Sequence, residues 1–194
     1  MTHEIKTTEA LVLATREVGD GTQILTLLTT DLGLIFARAQ GLRELKSKLR
    51  YGLQLFSLAN VSLVRGQETW RVTNSEPCES LAPEDSTKLI LITRVASLLN
   101  RLVRGEEAHP ELFGEYKNGL IFVFQTSLTP NQLQVYELIL VLRLLHRLGY
   151  IEKKPELLSL LDFSDWSESF LEQSRGTQEM IIKMINQALH HSHL

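Results

Sequence analysis

With 194 residues, of which 43% are hydrophobic and 22% charged, and a formal net charge of -3, the chain has the make-up of a folded protein of one large domain or two small ones, which excludes disorder. Its longest aliphatic or aromatic runs are the five residues 120–124 and 138–142, far short of the roughly 20 that cross a bilayer, and two acids precede any apolar stretch, which argues against a secretory leader. One cysteine, Cys78, allows no intrachain disulfide and no cysteine-based zinc cluster, so the cytosol is the expected compartment.

Taken in order, residues 6–17 alternate weakly and meet the turn signal Gly19-Asp20-Gly21, which predicts a strand and a tight hairpin. A second strand is predicted over 23–29, ending at Asp31-Leu32-Gly33, and a third over 34–39, broken by Gly41. The stretch LRELKSKLRYGL that follows has helical spacing at Leu42, Leu45, Leu49 and Leu53, as expected of a long loop holding a short helix. A fourth strand is predicted over 56–64, a turn at Arg65-Gly66-Gln67, and a fifth strand over 69–75, ending at Pro77. Five strands with the longest connection between the third and fourth fit the Greek-key barrel of the OB-fold. An SH3-like barrel gives a similar pattern, and the long third connection tilts the choice.

After Pro77 the period changes from two to 3.6, which sets the expected boundary between a barrel domain (1–80) and a helical domain (81–194) in an α+β chain. A first helix is predicted from Pro83 to Arg104, and a second opens at His109-Pro110. The third begins with Thr129-Pro130-Asn131-Gln132, a capping box with proline at the first position, and is apolar on nearly every face from Leu133 to Leu148. It should be the most buried helix. Residues 156–161 predict a short helix, 162–166 an irregular link, and 174–191 a last helix.

The signatures of phosphate-cradling loops, dinucleotide folds, zinc proteases and serine hydrolases are absent. Acid pairs such as Glu84-Asp85 and Glu106-Glu107 have polar neighbours and no apolar pocket to raise a pKa, so solvated capping is their expected role. Cys78 is read as a small buried apolar group. The histidines His190, His191 and His193 crowd the C-terminus with no thiolate or carboxylate to complete a metal site. Neither catalysis nor a metal or cofactor is expected.

What stands out is a concentration of charge. Arg38, Arg43, Lys46, Lys48 and Arg50 face the single acid Glu44, a local excess of four positive charges in thirteen residues. Residues 1–80 as a whole, this cluster included, balance nine basic against nine acidic side chains, so attraction to a polyanion must come from local clustering. The ordinary role of such a run is a solvated loop; its place between strands of an OB-type barrel favours nucleic-acid binding instead. Arg16 and Arg71 are secondary candidates. For base stacking, Phe36 and Phe56 have apolar surroundings and are assigned to the core, whereas Tyr51 beside Arg50 and Trp70 beside Arg71 are the candidates.

The string TEALVLATREVGDGTQILTLLTTDLGLIFARAQGLRELKSKLRYGLQLF resembles the bacterial recombination mediator family RecO, through its opening, the strand at Ile24 to Thr29, Gly33-Leu34, the corner at Ala39, Gly41 and Arg43, and the loop leading to Phe56. The resemblance is specific over the first 75 residues and architectural beyond them, apart from the ending Asn186 to Leu194. It implies an OB-fold, binding of single- and double-stranded DNA through it, annealing of complementary strands, and loading of RecA on strands coated with single-strand-binding protein, together with RecR, in DNA repair and recombination on the cytoplasmic nucleoid. The family's binding role carries onto Arg38, Arg43, Lys46, Lys48 and Arg50. This chain departs from relatives at Thr22-Gln23 and Gln40, and it is similar to short members that lack the four zinc-binding cysteines.

The resemblance also implies that the helical domain takes the acidic tail of single-strand-binding protein in an apolar pocket rimmed by cations. Arg94, Arg101 and Arg104 share one side of the first predicted helix, and Arg143 and Arg147 form an i,i+4 pair on the third. Their alternative role is pairing with acids such as Glu137 or Glu152. The competing functional classes are an OB-fold RNA-binding or translation-associated module, and a scaffold that binds protein alone.

Overall fold

The structure, a computed structural model, describes residues 5–19, 21–42, 49–67, 69–79, 85–103, 105–162 and 165–191. Five strands, β1 (Ile5–Glu17), β2 (Thr22–Thr29), β3 (Gly33–Gln40), β4 (Leu58–Arg65) and β5 (Trp70–Glu79), form a closed barrel in the order β1-β2-β3-β5-β4, with a short helix α1 (Leu49–Gly52) between β3 and β4. Closure depends on the length of β1. Its first half pairs with β4 from Ile5↔Val64 to Leu11↔Leu58, and its second half pairs with β2 from Ala10↔Thr29 to Glu17↔Gln23. A register shift between Val12 and Ala14 lets the strand turn from one partner to the other. The parallel pairing of β3 with β5 completes the ring. This is the OB-fold barrel expected from the strand spacing.

The barrel is filled from both halves of the alternation. Ala10, Val12, Leu25, Leu27, Ile35, Ala37, Ala39, Val61, Leu63 and Val72 point inward and are buried. Leu42 and Leu53 from the β3–β4 connection join that core, and Leu49 packs on it; Leu45, the fourth member of the predicted stripe, lies outside the described residues. On the outer face, the row Leu11, Leu28 and Leu34 is buried as well. Gly33 shows what covers this end: it has φ 67°, and a Cβ added there would lie 2.0 Å from the carbonyl oxygen of Glu107. Only glycine fits both the turn and the approach.

The helical part comprises α2 (Ser86–Leu102), α3 (Pro110–Gln125), α4 (Pro130–Arg147), α5 (Leu158–Leu161), α6 (Glu168–Gln173) and α7 (Gln178–His191). Two compact units result, 1–84 with 96–113 and 85–95 with 114–194, so α2 and α3 each contribute to both. In the second unit α4 packs against α5, α6 and α7 and is buried over most of its length, as its all-round apolar sequence predicts. Its capping box is present, with Gln132 N–H donating to Thr129 Oγ1 at 3.3 Å and Thr129 N–H donating to Gln132 Oε1 at 2.9 Å. Gly119 on α3 faces α4, where the Tyr136 hydroxyl donates to its carbonyl at 2.8 Å.

Two expectations are corrected, and one lies outside the described residues. The last helix does not begin at 174: α6, capped by Ser167, and a 3-10 turn at Arg175–Thr177 precede α7. Cys78 is exposed on β5 rather than buried. The start predicted at Pro83 falls on residues outside those described, and the cap seen is Asp85, whose Oδ1 accepts from Thr87 N–H at 2.8 Å. Among the described residues no helix is long and apolar enough to cross a membrane.

Candidate nucleic-acid interface

On β3 exposure rises away from Gly33. Along β3 the outward positions run Leu34, Phe36, Arg38, Gln40, passing from buried to exposed. Register places Arg38 opposite Ile24 of β2 and opposite Arg71 of β5, and Ile24 opposite Arg16 of β1. One row across four strands therefore reads Arg16, Ile24, Arg38, Arg71, with all three arginines exposed. Among the described residues none of the three has a carboxylate partner, in contrast to Arg65, which donates to Glu106 Oε1 at 2.6 Å.

Beside this row lies a cleft of about 550 Å³ lined by Thr22, Arg38 and Gln40 from β2 and β3, and by residues 64–67 and 69–71 around the β4–β5 turn. The outer face of strands two and three, with the loop between strands four and five, is where OB-folds hold extended ligands. Trp70 forms the floor. The residue is 5% exposed, and the Arg65 guanidinium lies 4.9 Å from its ring centroid. Lys6 sits 6.0 Å from the same ring, so the cleft carries five cationic side chains in or at its margin once Arg16 is included. Arg16, Arg38 and Arg71, held side by side with no carboxylate partner among the described residues, form a surface of positive potential suited to a chain of phosphates.

The predicted contact residues are divided by the structure. Arg38 and the secondary candidates Arg16 and Arg71 are brought together. Arg43, Lys46 and Lys48 lie outside the described residues, as does the side chain of Arg50 on α1. Of the stacking candidates, Trp70 is too enclosed to present a ring face to a base. Tyr51 is 64% exposed, but its helix lies against Ser75 and Pro77, at the far end of β5 from Arg71. Phe56 is buried as assigned; Phe36 is not, being 49% exposed on the outer face of β3. Period-two alternation through Leu34, Phe36 and Arg38 was the signal for it, because residues two apart share a face. Arg65 was read only as part of a turn.

The arginines considered for an acidic-tail pocket differ in their surroundings. Arg94 is bound to Glu137 at 2.6 Å, with a second hydrogen bond from Nε at 3.0 Å. Arg143 is 1% exposed: it donates to Leu160 O at 2.7 Å and Glu115 Oε1 at 3.1 Å, and its guanidinium stacks 4.5 Å from the Trp166 ring. Burial lowers its pKa, while Glu115 opposes that shift. Arg147 reaches the same carboxylate at 3.8 Å. Arg101 is exposed, and Arg104 lies outside the described residues.

Residues 1–81 match the family model for the recombination protein O N terminal domain. Among curated proteins the chain is 35% identical over 158 residues to the DNA repair protein RecO of Heliobacterium modesticaldum, covering 79% of this chain and 54% of that one. It is 34% identical over 144 residues to RecO of Desulfitobacterium hafniense (73% and 51%), and 37% identical over 113 residues to RecO of Dehalococcoides mccartyi (57% and 44%). The chain spans about half the length of the curated relatives it matches. The barrel of residues 1–81 is therefore similar to the recombination protein O N-terminal domain, and the chain is similar to about half the length of the DNA repair protein RecO.

Proposed function

We propose that this chain is a DNA-binding recombination mediator in DNA repair, which holds sugar-phosphate strands on its barrel without transforming them. The observation that carries the reading is the row Arg16, Arg38 and Arg71, unpaired with any described carboxylate, beside a cleft on the face that OB-folds use for ligands. The similarity of the barrel to recombination protein O supports the same reading from an independent direction. Cations that neutralise phosphates on two strands lower the repulsion between them, and annealing of complementary strands is the activity that follows. In the cell the chain would work with RecR to help RecA load on DNA covered by single-strand-binding protein, and the helical part would hold the tail of that protein.

Annealing of two labelled complementary oligonucleotides tests this directly. The parent protein should accelerate pairing, and the variant Arg16→Ala/Arg38→Ala/Arg71→Ala should lose at least about tenfold of that acceleration, as expected for three lost phosphate contacts. An unimpaired variant would remove the barrel row from the mechanism. Tighter binding of RNA than of matched DNA would instead favour an RNA-binding module.

A further inference from the structure

We propose that Phe36 and the notch beside it form a seat for one nucleobase, which makes the barrel select unpaired strands over duplex. The inference rests on the nucleic-acid reading above and adds to it the part of the ligand that is not phosphate.

Phe36 leaves half of its ring in solvent, although large aromatic side chains are among the groups with most to gain from burial. Its register partners explain why nothing covers it. The row containing Phe36 continues through Thr26 to Ala14, both small, so no bulky neighbour closes over the ring. The register shift between Val12 and Ala14 falls at the same point, and sheet irregularities of this kind commonly re-aim side chains at binding sites. The result is a notch of about 280 Å³ lined by Ala14, Thr15, Arg16, Ile24, Thr26 and Phe36. That is just below the range of cavities that enclose a drug-sized ligand and suits a single flat ring.

The notch has cations on two sides, since Arg16 lines it and Arg38 is two residues along β3 from Phe36 on the same face. An anionic strand, rather than an apolar protein segment, complements that frame. A base that lies flat on the Phe36 ring has the phenyl group where its stacked neighbour would otherwise be, so that neighbour must be displaced from one of its faces. A single strand meets that condition at little cost. A duplex would have to melt locally. The phenyl ring offers no hydrogen-bonding group, so the seat accepts any base.

The test compares three ligands of equal length: a 20-nucleotide thymidine strand, the same sugar-phosphate chain without bases, and a 20-base-pair duplex. Phe36→Ala should weaken the thymidine strand about tenfold or more, leave the other two within about twofold, and keep the salt dependence of binding. Phe36→Trp should restore the thymidine affinity. If Phe36→Ala binds the thymidine strand as tightly as the parent while Arg38→Ala/Arg71→Ala weakens it, the base seat is wrong and the phosphate contact stands. If the parent binds none of the three, or the arginine variant is unimpaired, the nucleic-acid reading itself fails and the seat with it. An equal loss for the strand without bases would show that Phe36 only supports the barrel, which also overturns the proposal.

Discussion

Arg38 and Arg71 are direct register partners in the parallel pairing of β3 with β5, both exposed and neither joined to a described carboxylate. Like charges placed opposite each other in a sheet destabilise it by roughly 0.2–1 kcal/mol. The pair is thus unfavourable for the isolated fold, and an anion relieves it. Arg71→Thr should raise thermal stability by a few tenths of a kcal/mol while weakening oligonucleotide binding. A melting curve with and without a short oligonucleotide reads both effects, and the stabilisation conferred by the oligonucleotide should shrink in the variant.

Gly33 and Gly19 both have positive φ, at 67° and 65°, but only Gly33 meets another backbone, with Glu107 O 2.0 Å from where a Cβ would sit. Gly19→Ala should cost about 1 kcal/mol, the penalty of a left-handed conformation. Gly33→Ala carries that penalty and must also displace residues around Glu107, so it should cost at least twice as much. Urea unfolding of the two variants side by side checks the ratio.

Arg143 is a buried cation whose charge is balanced by Glu115 and whose Nε–H is taken by Leu160 O, which ties α3, α4 and α5 together. Arg143→Met should destabilise the protein by about 3–5 kcal/mol, because it leaves the Glu115 carboxylate with only the longer Arg147 contact at 3.8 Å. Arg143→Met/Glu115→Leu should recover most of that loss, since an apolar pair of similar volume is often no less stable. Denaturant midpoints of both variants decide whether the pair is structural.

Tyr116 and Tyr136 are fully buried, and burial raises the pKa of both phenols above the ordinary 10.0. Acids with raised folded-state pKa values favour the folded form below the unfolded value and lose that contribution as pH rises above it. Stability should therefore fall above about pH 10, with a slope approaching about 2.7 kcal/mol per pH unit when both phenols titrate only on unfolding. Tyr116→Phe should halve the slope. It should also leave neutral-pH stability unchanged or slightly higher, because the Tyr116 hydroxyl has no hydrogen-bond partner among the described residues. Tyr136→Phe, which gives up the bond to Gly119 O, should cost about 1 kcal/mol at neutral pH. Unfolding followed between pH 8 and about 11 distinguishes the two.

The barrel was legible because its signals are local: alternation, a glycine at each turn, and a change of period after Pro77. The capping box at Thr129 was legible for the same reason. Helix α6 escaped because six residues carry too few turns to show a period, and its cap at Ser167 resembles a loop serine. For Arg143 the expectations are a pocket rim or an ion pair with an acid such as Glu137 or Glu152; its acid is Glu115 on α3, and what buries it is the all-round apolar character of α4. The juxtaposition of Arg16, Arg38 and Arg71 depends on how a closed barrel sets the register of four strands, which no local pattern encodes. Phe36 could have been placed by asking which face it shares with Arg38 rather than how apolar its neighbours are.

The most direct measurement is the salt dependence of affinity for a single-stranded oligonucleotide, compared between the parent and Arg38→Ala/Arg71→Ala. Each phosphate contact contributes about 0.7 to the slope of log affinity against log salt, so the double variant should be shallower by about 1.4. Two parallel lines would mean that these arginines touch no phosphate, and would contradict the account of the barrel as a strand-holding surface.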